Sequence, residues 1–479
     1  MSQSIKKDTI NGSKWTIIEK ISLQGIQFII GLILARLLSP SDFGVIGMLT
    51  VFIIISQTFV DGGFSNALIR KIDRTETDYS TAFFFNIIIG IICCMILCLI
   101  APFIADFFNI PILSNVLKVL SLTLLINSFA VVQIAKLTIN IDFKSQAQAT
   151  LISVILSGCI GITLAYKNYG VWALVWQSVL SALFKVILIW YFAKWKPLMI
   201  FSWKSFRDLF SYGSKLLISN LIGTLYSEMT TIVIGRFYTS KDLGYYSRGQ
   251  QFAHLPSTAV IDTLGRVTFP ILAKIQNEDE RLLNVYRKYI RMTSMVIFFL
   301  LMLLASVAKP LIILLLTDKW LDSVIFLQIF CFAFMFEHIS KLNLNLLQVK
   351  GRSDLYLRLE IIKKIIAFAI LIISIPWGVI AICLTKVLYG QIALLINTYY
   401  TGQLFQFGYW NQFKDFFKYL IYSLFACMPS YILSFMNYSP WIQLSLGGII
   451  SIILYCSLLQ KDTCFNEIKE LVTKKIKKL

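Results

Sequence analysis

The sequence predicts an all-α integral membrane protein of about fourteen spanning helices, built as two parallel, pseudo-symmetric six-helix lobes plus an accessory helix pair. Three observations carry this. The chain is 57% hydrophobic and only 14% charged, with a mean hydropathy of +0.74, whereas soluble domains carry about 25% charged residues. Apolar stretches of about 20 residues, the length that crosses a bilayer, fill almost all of the 479 residues. The chain also repeats itself. Ala35-Arg36-Leu37-Leu38-Ser39-Pro40-Ser41-Asp42-Phe43-Gly44 returns as Gly235-Arg236-Phe237-Tyr238-Thr239-Ser240-Lys241-Asp242-Leu243-Gly244. Ile134–Ile141 is echoed at Ile339–Leu346, and Gly170–Leu174 at Gly378–Ile382, in the same order. In a membrane protein a duplicated helical bundle points to a transporter.

The first lobe, 1–196, holds spans at about 15–38, 43–64, 80–105, 112–135, 147–166 and 170–193. Residues 197–211 form an amphipathic linker in which Trp203, Phe206 and Phe210 share one helical face, suited to the cytoplasmic leaflet. The second lobe, 212–401, holds spans at about 212–236, 250–273, 290–309, 323–348, 356–375 and 377–401. The eighth span is interrupted by Asp262 and Arg266, and the tenth starts indistinctly near Trp320. Spans at 417–436 and 440–460 form the accessory pair within 402–460, and 461–479 is a basic amphipathic tail. Six is an even number, so both repeats enter the membrane from the same side. An axis along the membrane normal then relates them, and a central cavity between the lobes is expected.

Met1 to Lys14 is polar and has no apolar core, so the first span is expected to serve as the insertion signal. The nine cysteines lie in apolar helices or the tail without metal-ligand spacing and read as small apolar residues. No metal or cofactor is expected. The net charge of +19 invites a nucleic-acid partner, but its placement argues against one. Most of the 44 Lys and Arg fall in inner loops and tails and few in outer loops, the positive-inside pattern that places both termini in the cytoplasm. The surplus is expected to contact anionic lipid.

Ser39 to Asp42 has the form of a capping box with Pro40 at the first helical position, and Thr239 to Asp242 that of a second. Arg36 and Arg236 end the preceding helices, where positive charge is favoured. Asp42, Asp242, Arg36 and Arg236 are therefore helix caps or, by pairing across the lobes, an outer gate. Ionisable residues inside spans mark substrate or ion paths. Lys386 lies about 12 Å into its helix and Lys185 about 22 Å into its own, and Lys118 lies nearer an outer end. This surplus of buried lysine points to an anionic cargo, a phosphate group above all. Glu228 and Asp262 are candidates for ion coupling or for pairing the lobes. Glu19, Lys20, Asp61, Lys215, Arg266 and Glu337 lie near helix ends and are discounted.

Gly25 to Lys71, including Ile33 to Gly44 and Gly63 to Arg70, resembles bacterial polysaccharide flippases. These are the Wzx-type exporters of the multidrug/oligosaccharidyl-lipid/polysaccharide superfamily, here closest to the subgroup of the colanic-acid exporter. Asp242 to Gln251 and Arg266 to Pro270 resemble that family's second-lobe signature. Arg248 joins the cargo candidates because it sits in that signature at the outer mouth of the eighth helix. The resemblance implies fourteen helices and no enzymatic activity. It implies movement of an undecaprenyl-diphosphate-linked oligosaccharide from the inner to the outer leaflet of the plasma membrane, with a polysaccharide polymerase and chain-length machinery as partners. The rival of the same fold is an ion-coupled small-molecule or multidrug exporter, for which an acidic cavity is expected. A membrane glycosyltransferase or polymerase would need a large outer catalytic loop, and none is present.

Overall fold

The computed structural model describes the backbone over residues 3–476. It describes side chains there except those of 3–14, 16–19, 21, 259, 262–267, 468 and 471–476. The chain divides into two compact units, Met1–Gly244 and Tyr245–Leu479. All regular structure among the described residues is helical.

In the first unit the helices are α1 (Gln3–Leu37), α2 (Pro40–Asp61), α3 (Phe64–Arg70), α4 (Glu76–Phe108), α5 (Ile112–Ser128), α6 (Val131–Ile139), α7 (Phe143–Tyr166), α8 (Val171–Ala193) and α9 (Trp203–Phe237). In the second they are α10 (Ser240–Lys274), which begins just before the boundary, α11 (Asp279–Ser306), α12 (Ala308–Leu316), α13 (Ser323–Phe334), α14 (Glu337–Val349), α15 (Ser353–Ser374), α16 (Val379–Phe405), α17 (Tyr409–Leu433), α18 (Pro440–Leu459) and α19 (Thr463–Ile476). Each predicted span falls on helix, and the second, fourth, ninth and tenth each take in a break between two helices. Eleven stretches among the described residues are long and apolar enough to cross a membrane. The apolar part of α1, Ser22–Leu37, is shorter, and α10 and α15 fall outside the eleven.

Two of the breaks position the site. α2 ends at Asp61 because Gly62 and Gly63 adopt positive φ values of 51° and 70°, which side-chain-bearing residues rarely accept. The α5–α6 break frees the carbonyl of Phe129, which the indole N–H of Trp190 satisfies at 2.9 Å. Within hydrocarbon such a break is tolerated only if its freed polar groups find partners.

The amphipathic stretch expected to form a separate linker is continuous with α9. Residues 194–202 are tied to α4, with Leu198 N–H donating to Ser80 Oγ at 2.9 Å and Ser202 N–H to Thr81 Oγ1 at 3.1 Å. Phe206 and Phe210 pack on Phe64 and Phe85, while Trp203 and part of Phe210 stay exposed. α9, whose sequence opens the second repeat, packs on α2, α3 and α4. Its Gly213 lies against the Gly62–Gly63 backbone so closely that a Cβ on Gly63 would stand 2.5 Å from the Gly213 carbonyl oxygen. Lipid tails are as apolar as side chains, so close packing of this kind holds such helices together where burial alone would not.

In the second unit α11 packs on α17 and α17 on α18, while α13, α14 and α15 pack around α16. Asn343 and Gln412 exchange amide hydrogen bonds at 2.9 and 3.0 Å, tying α14 to α17, and Thr401 of α16 donates to Asn343 at 2.7 Å. Asp462 anchors the start of α19. Its carboxylate accepts from Lys418 at 2.5 Å, from Tyr419, and from the backbone N–H of Cys464 and Phe465. Burial alone would raise the Asp462 pKa, but Lys418, the Phe465 N–H and Tyr419 outweigh it and hold it below the ordinary 3.8. A depressed carboxyl stabilises the fold above its unfolded pKa and loses that contribution as pH falls through the folded value. Asp462→Asn is therefore expected to speed hydrogen exchange over 463–470 at pH 7, and the difference from the parent should vanish in strong acid.

Candidate functional site

A cavity of about 870 Å³ opens within the first unit, at the upper end of the about 300–1,000 Å³ usual for ligand sites. The two helix breaks shape two of its walls, through Gly63, Ser65 and Asn66 on one side and Asn127, Ala130 and Val131 on the other. α9 supplies a third wall from Ser219, Asn220, Gly223, Thr224 and Ser227, which recur every three to four residues and so share one helical face. α8 contributes Lys185.

Among the described residues the charges in this cavity are Lys185, half-buried, and Asp61, which is exposed at the end of α2. The positive charge of Lys185 acts on the Asp61 carboxyl. Gln57 donates to Asp61 Oδ1 at 3.0 Å and accepts from Asn127 at 3.1 Å, so an amide relay links the α5 break to the carboxylate. Gln57, Thr58, Ser65, Asn66, Asn127, Ser219, Asn220, Thr224 and Ser227 add amides and hydroxyls, able both to donate and to accept, beside a smaller apolar part from Ala130, Val131 and Ile134. Such a wall can replace the hydration of sugar hydroxyls, and the ammonium can hold a phosphate oxygen.

Among the candidates from sequence, Lys185 lines this cavity. Lys118 is exposed on α5 and does not line it. Glu228 is half-buried on α9, beside the lining residue Ser227. Lys386 and Arg248 belong to the second unit. Lys386 donates to the Tyr246 hydroxyl at 2.5 Å and lies over the Tyr246 and Phe330 rings. Arg248 is buried, bonds Gln251 at 2.7 Å and lies over Trp320. The Asp262 side chain lies outside the described residues. Sequence reasoning discounted Asp61 as a helix-end charge and passed over the polar stripe of α9. The Gly62-Gly63 pair and the small polar residues spaced by three and four were the available signals.

The two copies of the duplicated motif meet within the first unit. Asp42 and Asp242 each close a box at their own helix start, accepting from Ser39 Oγ and Thr239 Oγ1, both at 2.6 Å. Arg36 is exposed, and Arg236 lies over the Phe107 ring at 4.9 Å. The link across the motifs comes from their small residues. Ser41 Oγ is 2.7 Å from Ser240 Oγ. A Cβ on Gly44 would lie 1.7 Å from the Ser240 carbonyl oxygen, and one on Gly244 2.0 Å from that of Pro40. The reciprocity of these contacts is what a duplicated motif meeting its own copy produces.

A family model described as polysaccharide biosynthesis protein matches residues 33–325. The chain belongs to that family. Among members of known name it is 30% identical over 355 residues to the teichuronic acid biosynthesis protein TuaB of Bacillus subtilis, covering 74% of this chain and 73% of that one. It is 24% identical to the lipopolysaccharide biosynthesis protein WzxC of Escherichia coli, covering 78% and 76%. The fold is that of the lipid II flippase MurJ in an inward closed conformation, with a TM-score of 0.73 at 15% identity over 94% of this chain and 98% of that one. A multidrug resistance MATE transporter of the MOP superfamily matches less closely, at a TM-score of 0.57 and 14% identity over 78% and 93%. This member of the family is thus a multi-pass membrane protein of the MOP fold, reached from its residues and from its relatives alike.

Proposed function

We propose that the protein is a flippase that moves an undecaprenyl-diphosphate-linked oligosaccharide from the inner to the outer leaflet of the plasma membrane, without making or breaking a covalent bond. The observation that carries this reading is the polar cavity holding Lys185, in a chain of the polysaccharide biosynthesis family. Glycan and diphosphate cannot cross hydrocarbon unaided, because each unpartnered polar group costs several kcal/mol there. The cavity supplies replacement partners, and the polyprenyl chain stays in lipid.

With both termini cytoplasmic, as the positive-inside bias favours, Asp61, Asn127 and Lys185 lie toward the cytoplasmic ends of their helices. The Ser41–Ser240 contact lies at the outer ends. This arrangement suits an inward-facing state, loaded from the cytoplasm and closed outside. Transport then requires the outer contact to part as the cavity closes inward, the alternating exposure that duplicated transporters use. Polysaccharide polymerase and chain-length machinery would consume the flipped product.

The test is leaflet-resolved detection of glycan-lipid in a host lacking this protein. Intact glycan-lipid should accumulate on the cytoplasmic leaflet while surface polymer is lost. Unchanged distribution, with no second flippase in the host, would sink the reading and favour small-molecule export, for which Asp61 in the cavity is the foothold.

A further inference from the structure

A second charged pocket lies in the second unit, beside the Asp462 anchor of α19. Its volume is about 180 Å³, and Asn284, Arg287, Lys288, Arg291, Cys464 and Glu467 line it. The four α11 residues are spaced by three, four and seven positions and so share one helical face. Buried Asp415 of α17 organises the two arginines. Arg287 donates to it from Nε at 2.8 Å and from Nη2 at 3.1 Å, and Arg291 from Nε at 3.0 Å and from Nη2 at 2.5 Å. Arg287 also lies over the Phe407 ring at 5.0 Å. A guanidinium has five N–H donors, so each arginine keeps its Nη1 group for a ligand while its fork is held in place. Lys288 pairs with Glu467 of α19. Three cations thus meet two carboxylates, leaving one positive charge in surplus.

The pocket forms between the first half of α11 and the start of α19, and α17 reaches its arginines through Asp415. Tyr409, Trp410 and Phe413 cluster on the first turns of α17, with Trp410 72% exposed. Exposed tryptophan beside tyrosine marks the level of lipid headgroups. Basic pockets between helices at that level bind phosphate-bearing headgroups.

We propose that this pocket binds a phosphate group, that of an anionic phospholipid headgroup, and so fastens α11, α17 and α19 to the membrane surface. The Nη1 groups, pre-set by the hold of Asp415 on each fork, are charged donors suited to phosphate oxygens, and Lys288 exchanges Glu467 for the ligand. The test is native mass spectrometry of the full-length protein in detergent, with added dioleoyl phosphatidylglycerol, dioleoyl phosphatidylcholine or inorganic phosphate. Phosphatidylglycerol should be retained in preference to phosphatidylcholine, and retention should fall about five-fold for each cation removed in Lys288→Gln and Arg291→Gln. Lys288→Gln leaves the Asp415 contacts untouched, so it tests the proposal even if Arg291→Gln impairs folding. Phosphate binding that the variants weaken, without preference between the lipids, would overturn the lipid source and leave a free-phosphate site. Equal retention of both lipids without phosphate binding, or retention unchanged in Lys288→Gln, would overturn the proposal.

Discussion

Replacing Lys185 with alanine is expected to reduce surface-glycan export by about ten- to one-hundred-fold while leaving protein abundance unchanged. The magnitude follows from the about 1.5–3 kcal/mol that a hydrogen bond to a charged group contributes. Lys185 is the ammonium that lines the 870 Å³ cavity. Its loss leaves a diphosphate facing amides, hydroxyls and the like charge of Asp61. Lys185→Glu should be worse still, because two carboxylates would then repel the cargo. Lys185→Arg should retain part of the activity. Abundance is expected to hold because Lys185 is half-buried at the edge of an open cavity and is not packed in a core. Lys118→Ala serves as the comparison. Lys118 is exposed and outside the cavity, so its loss should leave export near the parent level. Export by Lys185→Ala equal to that of Lys118→Ala would remove the cavity from the transport path.

Gly44→Val is expected to prevent the two motif copies from closing on each other. The atom that a Cβ would strike is a backbone oxygen, 1.7 Å away, which no rotamer change can move. Gly244→Val should do the same through the Pro40 carbonyl at 2.0 Å. The measurement is disulfide formation between Ser41→Cys and Ser240→Cys in a background cleared of the native cysteines. With the two hydroxyl oxygens 2.7 Å apart, crosslinking should be efficient in the parent and lost with either valine. Export should fall with it, because a contact that cannot close cannot alternate. Crosslinking that survives Gly44→Val would mean the helices shift apart locally without separating, and the contact would then be packing alone.

The spans were legible because hydrocarbon imposes one pattern, a long apolar run with every backbone group bonded inside its own helix. The capping boxes were legible from Ser39, Asp42, Thr239 and Asp242, since their partners lie three residues away. Membrane depth found Lys185 but could not say which way a side chain points. Each residue turns the helix by about 100°, so the depth of Lys118, Lys185 or Lys386 does not say which of them faces a cavity. Neighbours decide, and they send Lys386 to Tyr246 and Arg248 to Gln251 and Trp320. Asp61 was discounted as a helix-end charge because the Gly62-Gly63 break that turns the wall there is a tertiary feature, fixed by the approach of Gly213 from a helix distant in sequence. A meeting of the motif copies was expected through Arg36, Asp42, Arg236 and Asp242, whereas Ser41, Ser240, Gly44 and Gly244 make it. Similarity between segments reveals a duplication but not whether the duplicates touch.

The most direct test of the central claim is transbilayer movement in proteoliposomes containing the purified protein and an undecaprenyl-diphosphate-linked oligosaccharide of its host. The account predicts that parent protein makes inner-leaflet glycan accessible to an external glycosidase, and that Lys185→Ala and Gly44→Val do so at rates near those of protein-free vesicles. Parent protein no faster than empty vesicles, or Lys185→Ala as fast as the parent, would contradict it.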